Sequence, residues 1–190
     1  MRKIKILALL LIVLLGGCQK KEKAVPEFPY EVHSEKIDMS GYSGISSTQH
    51  NFRLVSIEEL YRTIDEKSSG VFYLATTSCG CCQNITRYLS EVASELGVTV
   101  YYIDAFDPEN DLSTREANER LVSYIEPIMG LDDNGNKVVL TPHLIVVTNG
   151  ELSGSQICYD GLGISDISLD RNIRKLEDVY RSLLEPFVKD

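Results

Sequence analysis

Between Val71 and Gly97 the chain reads as a strand that runs straight into a helix, and three cysteines stand at the junction. Val71-Phe72-Tyr73-Leu74-Ala75 is a short apolar run rich in strand formers. Ile85, Leu89, Val92, Ala93 and Leu96 then recur at helical spacing as far as Gly97, a residue suited to cap the helix. A second apolar run, Val98 to Asp104, follows at once. Strand, helix and strand in that order form a right-handed parallel crossover, the building unit of an α/β layered domain.

The junction itself is Cys79-Gly80-Cys81-Cys82. The partly positive end of a helix and its unpaired N–H groups stabilise a thiolate on Cys79. Cys82, one turn along, is near enough to close a disulfide with it. The pair is expected to be a reversible two-electron site, with Cys79 the accessible nucleophile and Cys82 the sheltered resolving thiol. A structural disulfide or inert thiols are the plainer readings of the same spacing.

The remaining elements extend the layered reading. Phe52 to Val55 is expected as a first strand, and Ser56-Ile57-Glu58-Glu59 as a capping box opening a helix with Leu60, Tyr61 and Ile64 on its apolar face. Pro108 to Met129 reads as helical, with acidic residues (Glu109, Asp111, Glu116, Glu119) on a solvated face that could also overhang the active-site side as a docking surface. Asp132 to Asn136 is a turn, because an oxygen-ligand loop would need a later bidentate Glu. Leu144 to Val147 is a strand, Asn149-Gly150 a hairpin turn, and Glu151 to Tyr159 the returning antiparallel strand. Leu169 to Val188 closes the chain as an amphipathic helix carrying Ile173, Leu176, Val179, Tyr180, Leu183 and Leu184. The order predicts a mixed sheet with helices on both faces.

The N-terminus reads as a targeting segment. Arg2, Lys3 and Lys5 precede an uninterrupted apolar run, Ile6 to Leu15, too short to span a bilayer of ~30 Å as a helix. Leu15-Gly16-Gly17-Cys18 resembles the bacterial lipobox, which implies cleavage after residue 17 and lipidation of Cys18 through a diacylglyceryl thioether. The expected organisation is a signal peptide over 1–17, a lipid anchor and tether over 18–50 and a folded domain over 51–190, with an insertion at about 108–137. That arrangement places the protein on the extracytoplasmic face of a bacterial membrane, where disulfides persist. The formal net charge of −9 becomes −12 once the three leader cations are removed. Such a balance, without a basic stripe, argues against nucleic acid as a partner.

Cys79-Gly80-Cys81-Cys82 after a strand, Thr141-Pro142 before the next apolar strand and the Asn149-Gly150 hairpin before the last helix together resemble the thioredoxin superfamily, over roughly residues 50–188. More narrowly, Tyr101-Tyr102-Ile103-Asp104 followed by a helical insertion is similar to thioredoxin-like proteins of the bacteriocin transport accessory type. The resemblance implies a thioredoxin-like mixed sheet and a cis peptide at Thr141-Pro142, stacked against the cysteine pair and presenting backbone to a thiol substrate. It implies catalysis by Cys79 and Cys82 with no cofactor. Three departures stand out: Ser78 replaces tryptophan, Tyr73 lies where a buried aspartate would fall, and Cys81 replaces proline.

Three residues remain open. Cys81 points about 100° away from Cys82 around the helix and is expected as a bystander or regulatory thiol, with pairing to Cys79 or metal ligation as alternatives. Cys158 lies mid-strand and reads as a small buried hydrophobe. His143, next to Pro142, would approach the cysteines, and three thiolates with one imidazole could hold zinc or copper(I). The expected function is therefore a membrane-anchored thiol–disulfide oxidoreductase acting on secreted proteins or peptides, with an unidentified redox partner. A metal-binding or partner-binding lipoprotein on the same scaffold is the alternative.

Overall fold

The computed structural model describes residues 26–189 apart from 109, 111 and 113. The leader, the lipobox and Cys18 lie outside the described residues. In chain order the elements are β1 (Glu35–Lys36), β2 (Phe52–Leu54), α1 (Ile57–Asp65), β3 (Gly70–Ala75), α2 (Gly80–Leu96), β4 (Val100–Asp104), α3 (Arg115–Ile125), β5 (Gly130–Leu131), β6 (Lys137–Val138), β7 (His143–Thr148), β8 (Glu151–Ile157) and α4 (Asp170–Leu184).

Six strands form one sheet in the order β1-β2-β4-β3-β7-β8. β2, β4 and β3 run parallel, whereas β7 runs antiparallel to β3, and β8 to β7. The β3-α2-β4 crossover and the β7-β8 hairpin are the two units expected from the sequence. Alternation along the strands divides the core into two layers. Val71, Tyr73, Val100, Tyr102, Leu144 and Val146 pack with Cys82, Ile85 and Leu89 of α2 and with Leu176, Tyr180 and Leu184 of α4. Phe72, Leu74, Ile103, Ile145 and Val147 pack with Leu60 and Tyr61 of α1 and with Leu121 and Ile125 of α3.

Local chemistry explains the boundaries. α2 ends at Gly97, whose φ of 66° is left-handed, and the N–H of Val98 then reaches the Ala93 carbonyl at 3.0 Å. The β7-β8 turn places Asn149 at φ 53° and Gly150 at φ 80°, both positive, as a two-residue hairpin requires. At Gly150 a side chain would also strike the Ile64 carbonyl at 2.7 Å, so glycine is needed there twice over.

Four expectations change. Ser56 is the N-cap of α1, but its side chain makes no capping bond. The Asn110 side-chain oxygen Oδ1 accepts the Ile57 N–H at 2.8 Å, and the Glu59 carboxylate accepts the His33 N–H at 3.2 Å rather than reaching back to Ser56. The helix expected over 108–129 is shorter, starting at Arg115 behind a Thr114 cap, because the turn that precedes it is tied to Asp104. α3 does not overhang the cysteines. It docks on α1, where Arg120 lies 4.3 Å over the Tyr61 ring and Tyr124 stacks on Tyr61 at 4.4 Å. Finally, the segment read as tether and loop packs on the domain from residue 26 onward. β1 pairs with β2, and Val32, Met39 and Tyr42 are buried.

Candidate functional site

β3 delivers the chain to Thr76, and three residues later α2 begins with Cys79 as its N-cap. The Cys79 sulfur accepts the N–H of Cys82 at 3.2 Å, taking up one of the donors that a helix start leaves unpaired. Cys79 is half-exposed and Cys82 is fully buried. Both are free thiols. Burial, reinforced by hydrogen bonding to Cys79, pushes the Cys82 thiol up to about 12. The accessible thiol and the sheltered one expected from the spacing are therefore both in place.

The Thr141-Pro142 peptide is cis. It brings the Thr141 carbonyl to 3.4 Å from the Cys79 sulfur, with the thiol as donor. A CxxC at a helix mouth faced by a cis-proline loop, on a sheet of this strand order, decides the architecture. The fold is thioredoxin-like.

No protein-family model and no curated protein matches the chain. Among solved structures, the chain is similar to thioredoxin O2 from Arabidopsis thaliana, with 18% identity and a TM-score of 0.42 over 75% of this chain and 98% of that one. Thioredoxin from Trypanosoma brucei brucei aligns with 20% identity and a TM-score of 0.40, over 71% of this chain and 96% of that one. Thioredoxin from Aeropyrum pernix aligns with 16% identity and a TM-score of 0.36, over 54% and 72%. The assignment of the thioredoxin-like fold rests on the strand order and the cis-proline, not on these scores.

The departures from the thioredoxin pattern have structural consequences. Tyr73 is buried on the α2 side, and its hydroxyl meets Thr86 Oγ1 at 2.9 Å. Thr86 Oγ1 in turn donates to the Cys82 carbonyl at 2.6 Å. Tyr102 and Tyr42 share a buried hydroxyl contact of 2.8 Å in the same layer. Phenols and a threonine thus occupy the space behind Cys82. Thr76 is buried, while Thr77 and Ser78 leave the approach to Cys79 open and polar.

Cys81 and Cys158 overturn their expected roles: they form a disulfide, with Cα atoms 6.1 Å apart. Cys158 is not mid-strand, because β8 ends at Ile157. Its backbone turns through a left-handed φ of 45°, which carries the sulfur toward the first turn of α2. A detectable signal was present in the sequence. Four cysteines remain on the lipobox reading of Cys18, and under that reading an even number would have favoured pairing.

His143 also departs from expectation. Neighbouring residues on a strand face opposite ways, and Leu144 belongs to the layer that contains Cys82. His143 therefore shares the face of Ile145 and Val147, on the α1 and α3 side. It is fully buried, neither ring nitrogen has a hydrogen-bond partner, and burial lowers it to about 4. With His143 on the far face and Cys81 bound to Cys158, the Cys₃His ligand set does not assemble. Among the described residues no group of three or more His, Cys, Asp or Glu is placed to hold a metal ion.

Proposed function

We propose that the protein is a thiol–disulfide oxidoreductase working through Cys79 and Cys82. One observation carries this reading. A half-exposed Cys79 thiol sits at the helix mouth against the Thr141 carbonyl, and a buried free Cys82 lies directly behind it. In the reducing direction, the Cys79 thiolate attacks one sulfur of a substrate disulfide. The leaving thiolate takes up a proton, and a mixed disulfide remains on Cys79. Cys82 then loses its proton and attacks the Cys79 sulfur. The second substrate thiolate leaves, and Cys79 and Cys82 finish as a disulfide. Two electrons pass to the substrate, and the reverse sequence oxidises a dithiol. A further dithiol must reduce the Cys79–Cys82 bond before the next turnover in the reducing direction.

The Thr141-Pro142 edge offers backbone to an extended peptide beside the attacked disulfide. The open, polar approach at Thr77 and Ser78 suits a flexible polypeptide more than a bulky apolar ligand. The basic start, the apolar run and Leu15-Gly16-Gly17-Cys18 support anchoring by a lipid on Cys18 at the extracytoplasmic face. There the substrates would be secreted proteins or peptides, a bacteriocin-type peptide among them. The test is disulfide exchange with a fluorogenic cystine peptide. Cys79→Ser is expected to abolish turnover, and full exchange by that variant overturns the assignment. Labelling cells with a radioactive fatty acid tests the anchor: the chain should carry label that Cys18→Ser lacks.

A further inference from the structure

We propose that Cys81–Cys158 is a second, reducible couple of this site, which holds the Thr141-Pro142 docking edge opposite Cys79 and releases it on reduction. The proposal rests on the thiol–disulfide reading above and adds a control on substrate engagement.

The contacts close a ring. Cys79 meets the Thr141 carbonyl at 3.4 Å. The next carbonyl, that of Pro142, accepts the N–H of Cys158 at 3.0 Å. Cys158 is bonded through sulfur to Cys81, which returns to Cys79 within the first turn of α2. The disulfide is the covalent tie between the helix mouth and the end of β8. The end of β8 is tied to the docking edge by the β7–β8 ladder, which pairs Ile157 with His143 next to Pro142, and by the hydrogen bond from Cys158. The disulfide therefore couples this end of the β7–β8 hairpin, and the docking edge with it, to the helix that carries the attacking sulfur, and a peptide that binds along this edge gains from the fixed spacing.

Two features distinguish this bond from a permanent staple. Cys81 and Cys158 are both half-exposed, whereas Cys82 is fully buried, so an external dithiol can reach the bond. Cys158 also holds a φ of 45°, a region that residues other than glycine seldom occupy. Its sulfur bond and its N–H bond to Pro142 keep it there. Exposed disulfides with strained surroundings belong to the labile, regulatory group. On reduction, one thiolate of a dithiol attacks a sulfur of the pair and leaves a mixed disulfide with one free cysteine thiolate, which is protonated. The second thiolate of the dithiol closes on the mixed disulfide and releases the other cysteine. Two electrons and two protons reach Cys81 and Cys158, and the dithiol becomes its own disulfide. Cys158 can then relax, and the Pro142 carbonyl loses its fixed donor.

The first measurement uses the Cys79→Ser/Cys82→Ser variant in a dithiothreitol redox buffer, with alkylation and mass readout. A two-thiol transition at Cys81 and Cys158 in a protein that stays folded by circular dichroism is expected. A bond that remains closed in excess reduced dithiothreitol overturns the proposal. Amide exchange on the same variant should show the Cys158 N–H exchanging about tenfold or more faster once reduced, and equal rates overturn it. The second measurement uses Cys81→Ser/Cys158→Ser, which keeps the first couple. Its KM for a cystine peptide is expected to rise about fivefold or more with kcat within about twofold, and an unchanged KM overturns the positioning role. The first variant lacks Cys79 and Cys82, so the second couple can be found even if the wild type proves to have no exchange activity.

Discussion

Cys82 resolves the mixed disulfide, and its thiol is held up to about 12 by burial first and by Cys79 second. Once Cys79 carries substrate, the burial remains, so Cys82 reacts from a mostly protonated state at neutral pH. The thiolate fraction of such a group grows about tenfold per pH unit below its pKa, so resolution should speed up continuously from about pH 6 to 9. Single-turnover kinetics on a preformed mixed disulfide measures this, and a flat profile contradicts it. Tyr73→Phe removes the hydroxyl bonded to Thr86. Thr86 keeps its bond to the Cys82 carbonyl, so the expected cost is about 1 kcal/mol in denaturant unfolding, with turnover preserved. At this scale, the half-exposed Cys79 at the helix mouth, the sheltered Cys82 and the cis peptide at Thr141-Pro142 were legible from spacing and resemblance. The Cys81–Cys158 bond was not, because Cys158 leaves its strand through a left-handed turn that strand propensity does not encode.

Among the elements, β3 with α2 was the easiest to read, since its apolar run, helical repeat and glycine cap agree at every level. The start of α1 was misread for a physical reason. Ser56-x-x-Glu59 satisfies the capping-box pattern, but the Glu59 N–H bonds the Ser56 backbone carbonyl, the Glu59 carboxylate turns to His33, and Asn110 from a distant loop takes the Ile57 N–H. For the Glu59 carboxylate a long-range partner displaced the local one. Asn110→Ala leaves the buried Ile57 N–H without that acceptor and also removes the bond to the Asp104 carbonyl at 2.7 Å. Denaturant unfolding should show a loss of about 1–3 kcal/mol, against a smaller effect for Ser56→Ala, whose side chain caps nothing. Equal losses would contradict the reassigned cap. α3 was overextended because the apolar positions that mark it, Leu121, Val122, Ile125 and Ile128, all lie after Thr114 and do not fix where it starts, while Asn110 in the preceding turn is bound to the Asp104 carbonyl.

For the whole molecule, a mixed sheet with helices on both faces followed from the element order, whereas the order of its strands and the face on which His143 falls depended on the pairing and register. That histidine ties stability to pH. Its folded pKa of about 4 lies below the ordinary 6.5, so the buried neutral ring contributes stability fully above 6.5 and loses it as pH falls through 4. At ~1.36 kcal/mol per pH unit the effect is about 3 kcal/mol. His143→Leu should therefore match the wild type or exceed it at pH 7.5 and flatten the loss between pH 6.5 and 4, as measured by denaturant unfolding across that range. An unchanged acid limb would show that another group governs it. The account as a whole depends on which sulfur meets substrate first, and trapping answers that directly. Cys82→Ser incubated with a cystine peptide, quenched in acid and mapped by mass spectrometry, is predicted to carry one peptide on Cys79. A peptide found on Cys81 or Cys158 instead, or no adduct at all, would contradict the mechanism.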